Sequence, residues 1–530
     1  MKELNARFLS VGGPTRVEED SSLVAPLIDG QDYFGAVQME IGRTQGPGDA
    51  IYMLGWRFES TFRFSNDPAQ PAELGRVLAI KAAAGVDVRV ILPLKWQLYN
   101  RLESEKEADL RAKGNNDLVN LLDWFGPSGN LRHADLLRKQ SVDGKTPLDA
   151  RVLLDHSSEL FGIHHQKMVL VHRAGAAVGF VAGIDFLADR LDTQAHDESL
   201  PRSRLARPKE PFPYYWHDAG TRIEGPVLSG LFYYFGLRWF HCLRLMDRKF
   251  STRDGQTINS LNPRVEMTAP RSRPDRTPLS GPPLTGVFIA ANFPERDVAG
   301  AHPAVHQPHD LFGQKPIHTT GDLYKKAIGS ARRFIYVEDQ YFDAPCLEGA
   351  LREAARRGVK IIAVLGGWSD DDRKEVEPKW TSPFLKSLGD SVAVMFVKKT
   401  IVHSKLMVID DEFAAIGSTN FADRSLVEAE DNGGGAESSL RALLKEVKQD
   451  WSTDSELTVA MVDDRANDTN VARRLRVLLW AEHLRVSPYD TSIWAQLADL
   501  RTGLSVFEKS WGRPVSFSHA DSRLVRGQIL

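Results

Sequence analysis

The sequence predicts an α/β protein built as two duplicated halves, with mixed, largely parallel sheets flanked by helices and packed about a pseudo-two-fold axis. Three observations carry that expectation. A strand–helix–strand pattern occurs twice, a His-x-Lys stretch follows it each time, and a segment rich in Pro, Ser, Thr and Arg separates the two copies.

In the first copy IYMLGWRFE (51–59) leads through a helical pattern to AAGVDVRVILPLKWQ (83–97). In the second, FIYVEDQYFDA (334–344) leads to AARRGVKIIAVLGGW (354–368). A strand, a helix and a short Gly-Val-initiated strand of β-branched residues is the pattern of a βαβ crossover in a parallel sheet. Each unit then reaches a strand that opens on His-x-Lys, HHQKMVLVH at 164 and HSKLMVIDD at 403. FVAGIDFLADR (180–190) follows the first and AAIGSTNFADR (414–424) the second, so the repeat extends through a further strand and loop. The halves are expected at 1–250 and 287–485, with a linker at 251–286 and a C-terminal extension at 486–530.

Composition narrows the classes. The 67 basic and 70 acidic residues give a formal net charge of −3, so no basic field calls for nucleic acid as a partner. Cys242 and Cys346 are the only cysteines, which argues against a disulfide framework or a cysteine-built metal site. The N-terminus lacks the apolar stretch of a cleavable export signal, and no run of ~18 apolar residues marks a membrane span. A monomer that is cytoplasmic as made is expected, although export by a signal-independent route would leave the same sequence.

The two His-Lys strands carry the chemistry. Residues i and i+2 of an extended strand share a face, so His165 stands beside Lys167 and His403 beside Lys405. A lysine neutralises phosphoryl oxygens as a point charge, while an imidazole attacks phosphorus or hands a proton to a departing alkoxide. Packed about a two-fold, the two histidines would face each other across one phosphorus.

HSKLMVIDDEFAAIGSTNFADRS runs His-x-Lys, four residues, Asp, and then Gly-Ser and Asn, and here the chain resembles the phospholipase D superfamily, whose motif occurs twice. HHQKMVLV with VAGIDFLADRLDT looks like the first motif of the eukaryotic-like, choline-type members. YYWHDAGTRIEGP (214–226), FIYVEDQYF, DSELTVA (454–460) and RLRVLLWAEHL extend the similarity, in order, over roughly residues 25–485.

The resemblance implies the phospholipase D fold and a division of roles. His165 is the implied nucleophile, forming a phosphohistidine, and His403 the acid that protonates the leaving alcohol and then deprotonates incoming water or alcohol. Lys167, Lys405, Asn420 and Asp185 line the phosphate pocket, with Asp185 orienting a lysine or binding an alcohol group. Ser418, Trp56 and Tyr341 count as further substrate contacts. Asp218 is expected to orient His165, and Glu456 to orient His403. Asp410 closes the second motif and is counted with the catalytic set, although His172 stands in its place in the first. That position lies five residues beyond the lysine, an odd offset that turns it from the catalytic face. The acid there is accordingly expected to brace structure rather than move protons. His217 is left out of the catalytic set.

The scheme calls for no metal and no cofactor, and SDDDRKE (369–375) lacks the Gly and distal Glu of a calcium loop. Trp56, Trp216, Tyr341, Phe342 and Trp368 are candidates for an acyl groove or a choline cage, or else for core. The expected function is a phospholipase D acting peripherally on glycerophospholipids at a membrane surface. A nuclease or phospholipid synthase of the same superfamily, or a silent lipid-phosphate binding protein, are the alternatives.

Overall fold

Two sheets with the same strand order frame the molecule. The computed structural model describes residues 2–12, 17–64, 73–94, 129–156, 164–196, 215–244, 249–251, 257–259, 270, 279–293, 317–342, 344–366, 388, 392–397, 400–426, 454–466, 468–509 and 524–526. The first sheet runs Leu23–Ile28, Ala219–Glu224, Ala176–Ala182, Met168–Arg173, Ala50–Leu54, Asp87–Pro93, Val152–Asp155. The second contains, in the corresponding order, Gly286–Phe293, Glu456–Val462, Phe413–Gly417, Leu406–Ile409, Phe334–Asp339, Lys360–Gly366, Val392–Val397. Position for position, the expected duplication is present in the topology.

The sheets are mixed, but parallel pairing is the smaller part of each, against the expectation. It is confined to Ala50–Leu54 with Asp87–Pro93 and then Val152–Asp155, and to Phe334–Asp339 with Lys360–Gly366 and then Val392–Val397. The other pairings within the two seven-strand orders are antiparallel. Connection length explains the split. The crossover helices Leu74–Ala83 and Pro345–Arg356 return the chain parallel, whereas Met168–Arg173 and Ala176–Ala182 are joined by a two-residue turn that can only reverse it.

Both faces of each sheet are covered, so the central strands are apolar on both sides. Leu170 and Tyr52, with Val408 and Tyr336, face a middle layer that also holds the helices Leu228–Arg244 and Val471–Leu484. Val169 and Val171 face an outer layer with Tyr33, Phe34 and Leu78, and Met407 and Ile409 face its counterpart with Leu323 and Leu347. The result is five layers, helix–sheet–helix–sheet–helix.

The half boundaries need one correction. The helix Lys2–Phe8 places Phe8 in the outer core of the second half, and Glu18–Glu19 pairs with Gly286–Phe293 of the second sheet. The N-terminal segment therefore packs on the C-terminal half. Most of the 251–286 segment lies outside the described residues.

Asp410 is a fold residue, not part of the catalytic set. It sits in the turn between Leu406–Ile409 and Phe413–Gly417 at φ +58°, a left-handed conformation that Asp tolerates better than most side chains. Its carboxylate accepts from the backbone N–H groups of Arg332 (2.8 Å), Arg333 (2.7 Å) and Phe334 (3.0 Å), and from Arg7 Nη2 (2.8 Å). Asp411 beside it pairs with the buried Arg476, at 2.6 and 2.9 Å, and so ties the turn to the C-terminal helices. The first hairpin turns in two residues and has no such loop, so His172 remains in its strand opposite Ala50 and Ala177, ring edge-on to Phe232.

Asp410→Ala is expected to lower the unfolding free energy by ~3–5 kcal/mol, the usual cost of removing one partner from a buried pair, in a denaturant titration. Turnover per folded molecule should stay within about tenfold of wild type.

Candidate active site

The two His-x-Lys stretches lie just before the central strands Met168–Arg173 and Leu406–Ile409, where the halves exchange backbone hydrogen bonds. His165 N–H donates to Ser455 O (3.0 Å) beside a bridge between His164 and Ser455. Thr400–Val402 pairs in parallel with Tyr215–His217, and His403 N–H donates to His217 O (2.7 Å). Each histidine thus enters the site alongside the acid-bearing segment of the opposite half.

The acids consequently pair the other way round from the expectation. His165 Nδ1 lies 3.0 and 3.1 Å from the carboxylate oxygens of Glu456, and His403 Nδ1 lies 2.7 Å from Asp218 Oδ2. Glu456 opens Glu456–Val462 and Asp218 precedes Ala219–Glu224, each at the end of its sheet that meets the other half. A carboxylate on Nδ1 fixes the tautomer and leaves Nε2 as the reacting nitrogen of each ring. Gly183 makes room for this, since a Cβ there would stand 2.3 Å from Asp218 Oδ1.

Lys167 and Lys405 are buried beside the rings, each ammonium donating to the carbonyl of its own histidine, at 2.9 Å for Lys167. Asp185 accepts from Arg57 N–H (2.8 Å) and lies 3.7 Å from Lys167 Nζ. Asn420 is buried with its Oδ1 unpaired. Ser418, expected to touch substrate, is instead committed inward: it donates to Glu456 and accepts from Leu457 N–H (3.0 Å). Ser425 Oγ donates to the other oxygen of Glu456 at 2.9 Å.

Burial and neighbouring lysines act together on the histidines. Burial, then Lys167 and Lys405, hold the His165 pKa well below its ordinary value. Burial, then Lys405, Arg190, Lys167 and His165, do the same for His403. Burial pushes Asp218 and Glu456 up to about 7 against the pull of the lysines. Burial also lowers Lys405 to about 8 despite Asp218 and Asp339. An anion bound between the rings would shift the histidines back towards the charged form.

Three residues outside the expected set belong here. Asp339 ends Phe334–Asp339, the strand beside the second motif strand, accepts from Tyr341 and Phe421 N–H (both 2.8 Å), and acts electrostatically on Lys405. It does for Lys405 what Asp185 does for Lys167. Arg190, almost fully buried, acts on His403 and Lys167, and Arg57 sits near it. FLADR and FADR in the repeat were the available signal for Arg190.

His217 is the centre of a buried network behind His403. Its ring contacts Asp29 (3.0 Å), Glu338 (2.7 Å) and Glu482 (2.8 Å), while His196 contacts Asp192 (3.1 Å) and Glu482 (3.0 Å). Asp29 also accepts from Asp218 N–H (3.1 Å), so the network positions the acid that holds His403. Burial disfavours the charged ring, yet the surrounding carboxylates outweigh it and raise His196 to about 9 and His217 well above its ordinary value. Ligand atoms of Asp29, His196, His217 and Glu482 lie within 4.8 Å of one another and could hold a metal ion, as could those of His217, Glu338 and His483. A cation in the first group would replace the protons on the two imidazoles. No motif spacing announces donors drawn from positions 29, 196, 217 and 482.

The aromatic candidates separate. Trp56 stands edge-on to His165 (6.3 Å) and Trp216 edge-on to His403 (5.3 Å). The Arg190 guanidinium lies over the Trp216 ring at 3.2 Å, the place a choline ammonium would take in a cage. Phe342 is core, stacked on Phe421 at 4.6 Å, while Tyr341 is 38% exposed on the loop beside Asp339. Trp368 lies outside the described residues.

Residues 324–453, about a quarter of the chain, match a family model described as cardiolipin synthase, PLD-like domain. Phospholipase D alpha 1 of Arabidopsis thaliana is 27% identical over 330 residues, covering 55% of this chain and 37% of the relative. That of Vigna unguiculata is 22% identical over 493 residues, covering 72% and 58%. The chain is similar to members of the phospholipase D superfamily. It spans between about a third and three-fifths of the length of these relatives. Among solved structures of similar shape are the phosphatidylserine synthase of Haemophilus influenzae Rd KW20 and Nuc of Salmonella typhimurium, a phospholipase D family member. The first has a TM-score of 0.48 at 12% identity and covers 92% of this chain and 96% of that one. The second has a TM-score of 0.21 at 18% identity, with 33% and 82% covered.

The electrostatics set a pH profile. The His165–Glu456 pair takes up a proton as pH falls through about 7, which leaves no free lone pair on the ring. Lys405 loses its charge as pH rises through about 8. A bell-shaped kcat/KM with limbs near these values is expected for phosphodiester cleavage. Glu456→Gln should move the acidic limb to lower pH, because the remaining acceptor is the depressed His165 itself. A profile that is flat between about pH 5 and about 9 would contradict this account.

Proposed function

We propose that the protein is a phospholipase D that cleaves the distal phosphodiester of glycerophospholipids, giving phosphatidate and the free head-group alcohol. The observation that carries the reading is the pair of buried imidazoles, each held at Nδ1 by an acid of the opposite half and flanked by its own lysine.

His165 Nε2 attacks phosphorus as the P–O bond to the head group breaks, and the proton on His403 Nε2 goes to the departing alkoxide. Water then gives its proton to His403 and attacks the phosphohistidine. The P–N bond breaks, phosphatidate leaves, and both rings return to their starting state. Lys167 and Lys405 neutralise the equatorial oxygens in a site that excludes bulk water, where such charges act most strongly. The same intermediate passes to a small alcohol that reaches it, so transphosphatidylation is a side activity. Substrate is met at a lipid surface, with Tyr341 exposed beside the site.

Mixed micelles of phosphatidylcholine, phosphatidylethanolamine and phosphatidylglycerol, with plasmid DNA as a control, test the substrate class. Head-group release with phosphatidate is expected, and phosphatidylethanol when ethanol is added. Histidine roles are read with a second substrate whose p-nitrophenol leaving group needs no acid. There His403→Ala should release p-nitrophenol in a stoichiometric burst and then stall, because breakdown of the phosphohistidine still needs its proton acceptor, whereas His165→Ala should give no burst and stay inactive on both. Cleavage of DNA with no release from any lipid would replace this reading with a nuclease.

A further inference from the structure

The apolar layer between the sheets contains a charged cluster that the reaction scheme leaves unused. Arg238, on the helix Leu228–Arg244, is 2% exposed there. Its Nη2 donates to Ser455 Oγ at 2.8 Å, and its Nη1 lies 3.4 Å from Asp155 Oδ2. That same oxygen of Asp155, at the end of Val152–Asp155, lies 3.1 Å from His164 Nδ1. Its guanidinium also sits over the Phe293 ring at 5.2 Å.

These contacts converge on one point. Ser455 accepts the His165 N–H and precedes Glu456, the acid on His165 Nδ1, while His164 forms the bridge to Ser455. Arg238 therefore touches the second-half segment that carries the acid and, through Asp155 and His164, the first-half segment that carries the histidine. A guanidinium in an apolar layer is costly unless its partners hold it, and partners that hold it are themselves fixed. Burial pushes the Asp155 carboxyl up, but Arg238 and His164 outweigh it and hold the group well below the usual carboxylate range, so the cluster is ionic.

We infer that Arg238 is a positioning residue for the nucleophile, locking Ser455–Glu456 against His164–His165 through Ser455 and the Asp155–His164 pair. The inference rests on His165 as the nucleophile of the proposed phospholipase. Asp218 and His403 are held by a different set of groups, the Asp29–His217 network, so the effect of Arg238 is one-sided.

Phosphatidyl-p-nitrophenol in mixed micelles reads the His165 step without the acid. Arg238→Met is expected to lower kcat about 30-fold with KM within about twofold, and Arg238→Lys to recover part of the loss. Combined with Glu456→Gln it should add little further loss, whereas its effect should multiply with that of Asp218→Asn on natural lipid. Ser455→Ala, which removes only the hydroxyl, gives a milder loss with the same coupling pattern and serves if Arg238→Met fails to fold. Equal coupling to both acids, or wild-type kcat in the folded variants, overturns the inference. Diethyl pyrocarbonate labelling, resolved by peptide mass spectrometry, gives a readout independent of turnover. His165 reactivity should change more than about threefold in the variants with His403 unchanged. A wild type that releases no p-nitrophenol sinks the phospholipase reading. The positioning role then stands or falls on the labelling, and unchanged His165 reactivity overturns it.

Discussion

The hydrogen bond from each histidine Nδ1 to a carboxylate of the other half is the constraint on which the rest of the structure depends. Neither half holds a complete dyad: His165 needs Glu456, and His403 needs Asp218. The stacked sheets must therefore be aligned to within a hydrogen bond where these segments cross. The backbone bonds at His165–Ser455 and His403–His217 set that alignment. Burying two charged dyads in such a seam is tolerable only because each member has several partners, as Glu456 does with His165, Ser418 and Ser425.

Much of this was legible in the sequence, and the limits are physical. The duplication, the strands and the two His-x-Lys stretches are local patterns, so periodicity and repetition find them. Partner choice is not local. Nothing in WHD or DSEL says which histidine the chain will bring alongside, and a resemblance that places both acids near the site leaves the pairing to the packing of the halves. Ser418 shows the same limit: the Gly-Ser step that looks like a phosphate contact turns its hydroxyl inward, because Gly417 approaches the backbone of Leu457 so closely that a Cβ would lie 2.2 Å from its carbonyl. The Asp29–His217 network and Arg238 combine positions hundreds of residues apart. No spacing rule reaches them.

The two halves also show where a duplicated site is free to differ. Lys167 has Asp185 and Lys405 has Asp339, yet the first acid comes from the loop after the motif hairpin and the second from the end of the neighbouring strand. The requirement is a carboxylate near each ammonium, and either route meets it. At the end of the motif the freedom is larger. Asp410, in the longer turn, answers three backbone N–H groups where Arg332–Phe334 enters its strand. The tighter first turn leaves a histidine in that place, packed on Phe232.

Charge balance at the seam explains why the supporting networks are so extensive. Lys167, Lys405 and Arg190 face Asp185, Asp218, Asp339 and Glu456 in a volume from which solvent is largely excluded. In such a medium each charge acts strongly on the others, so a small displacement of one group changes the protonation of its neighbours. Burial alone drives the histidines towards neutrality and the acids towards protonation. Geometry decides whether the proton of each dyad is shared along the Nδ1–carboxylate axis or lost to solvent. Fixing that axis requires rigid groups on the far side of each acid: Asp29 and His217 behind Asp218, and Ser418, Ser425, Ser455 and Arg238 around Glu456. Two of the polar clusters in the layer between the sheets accordingly lie directly behind the two dyads, where an oriented charge offsets its own desolvation by fixing the acid.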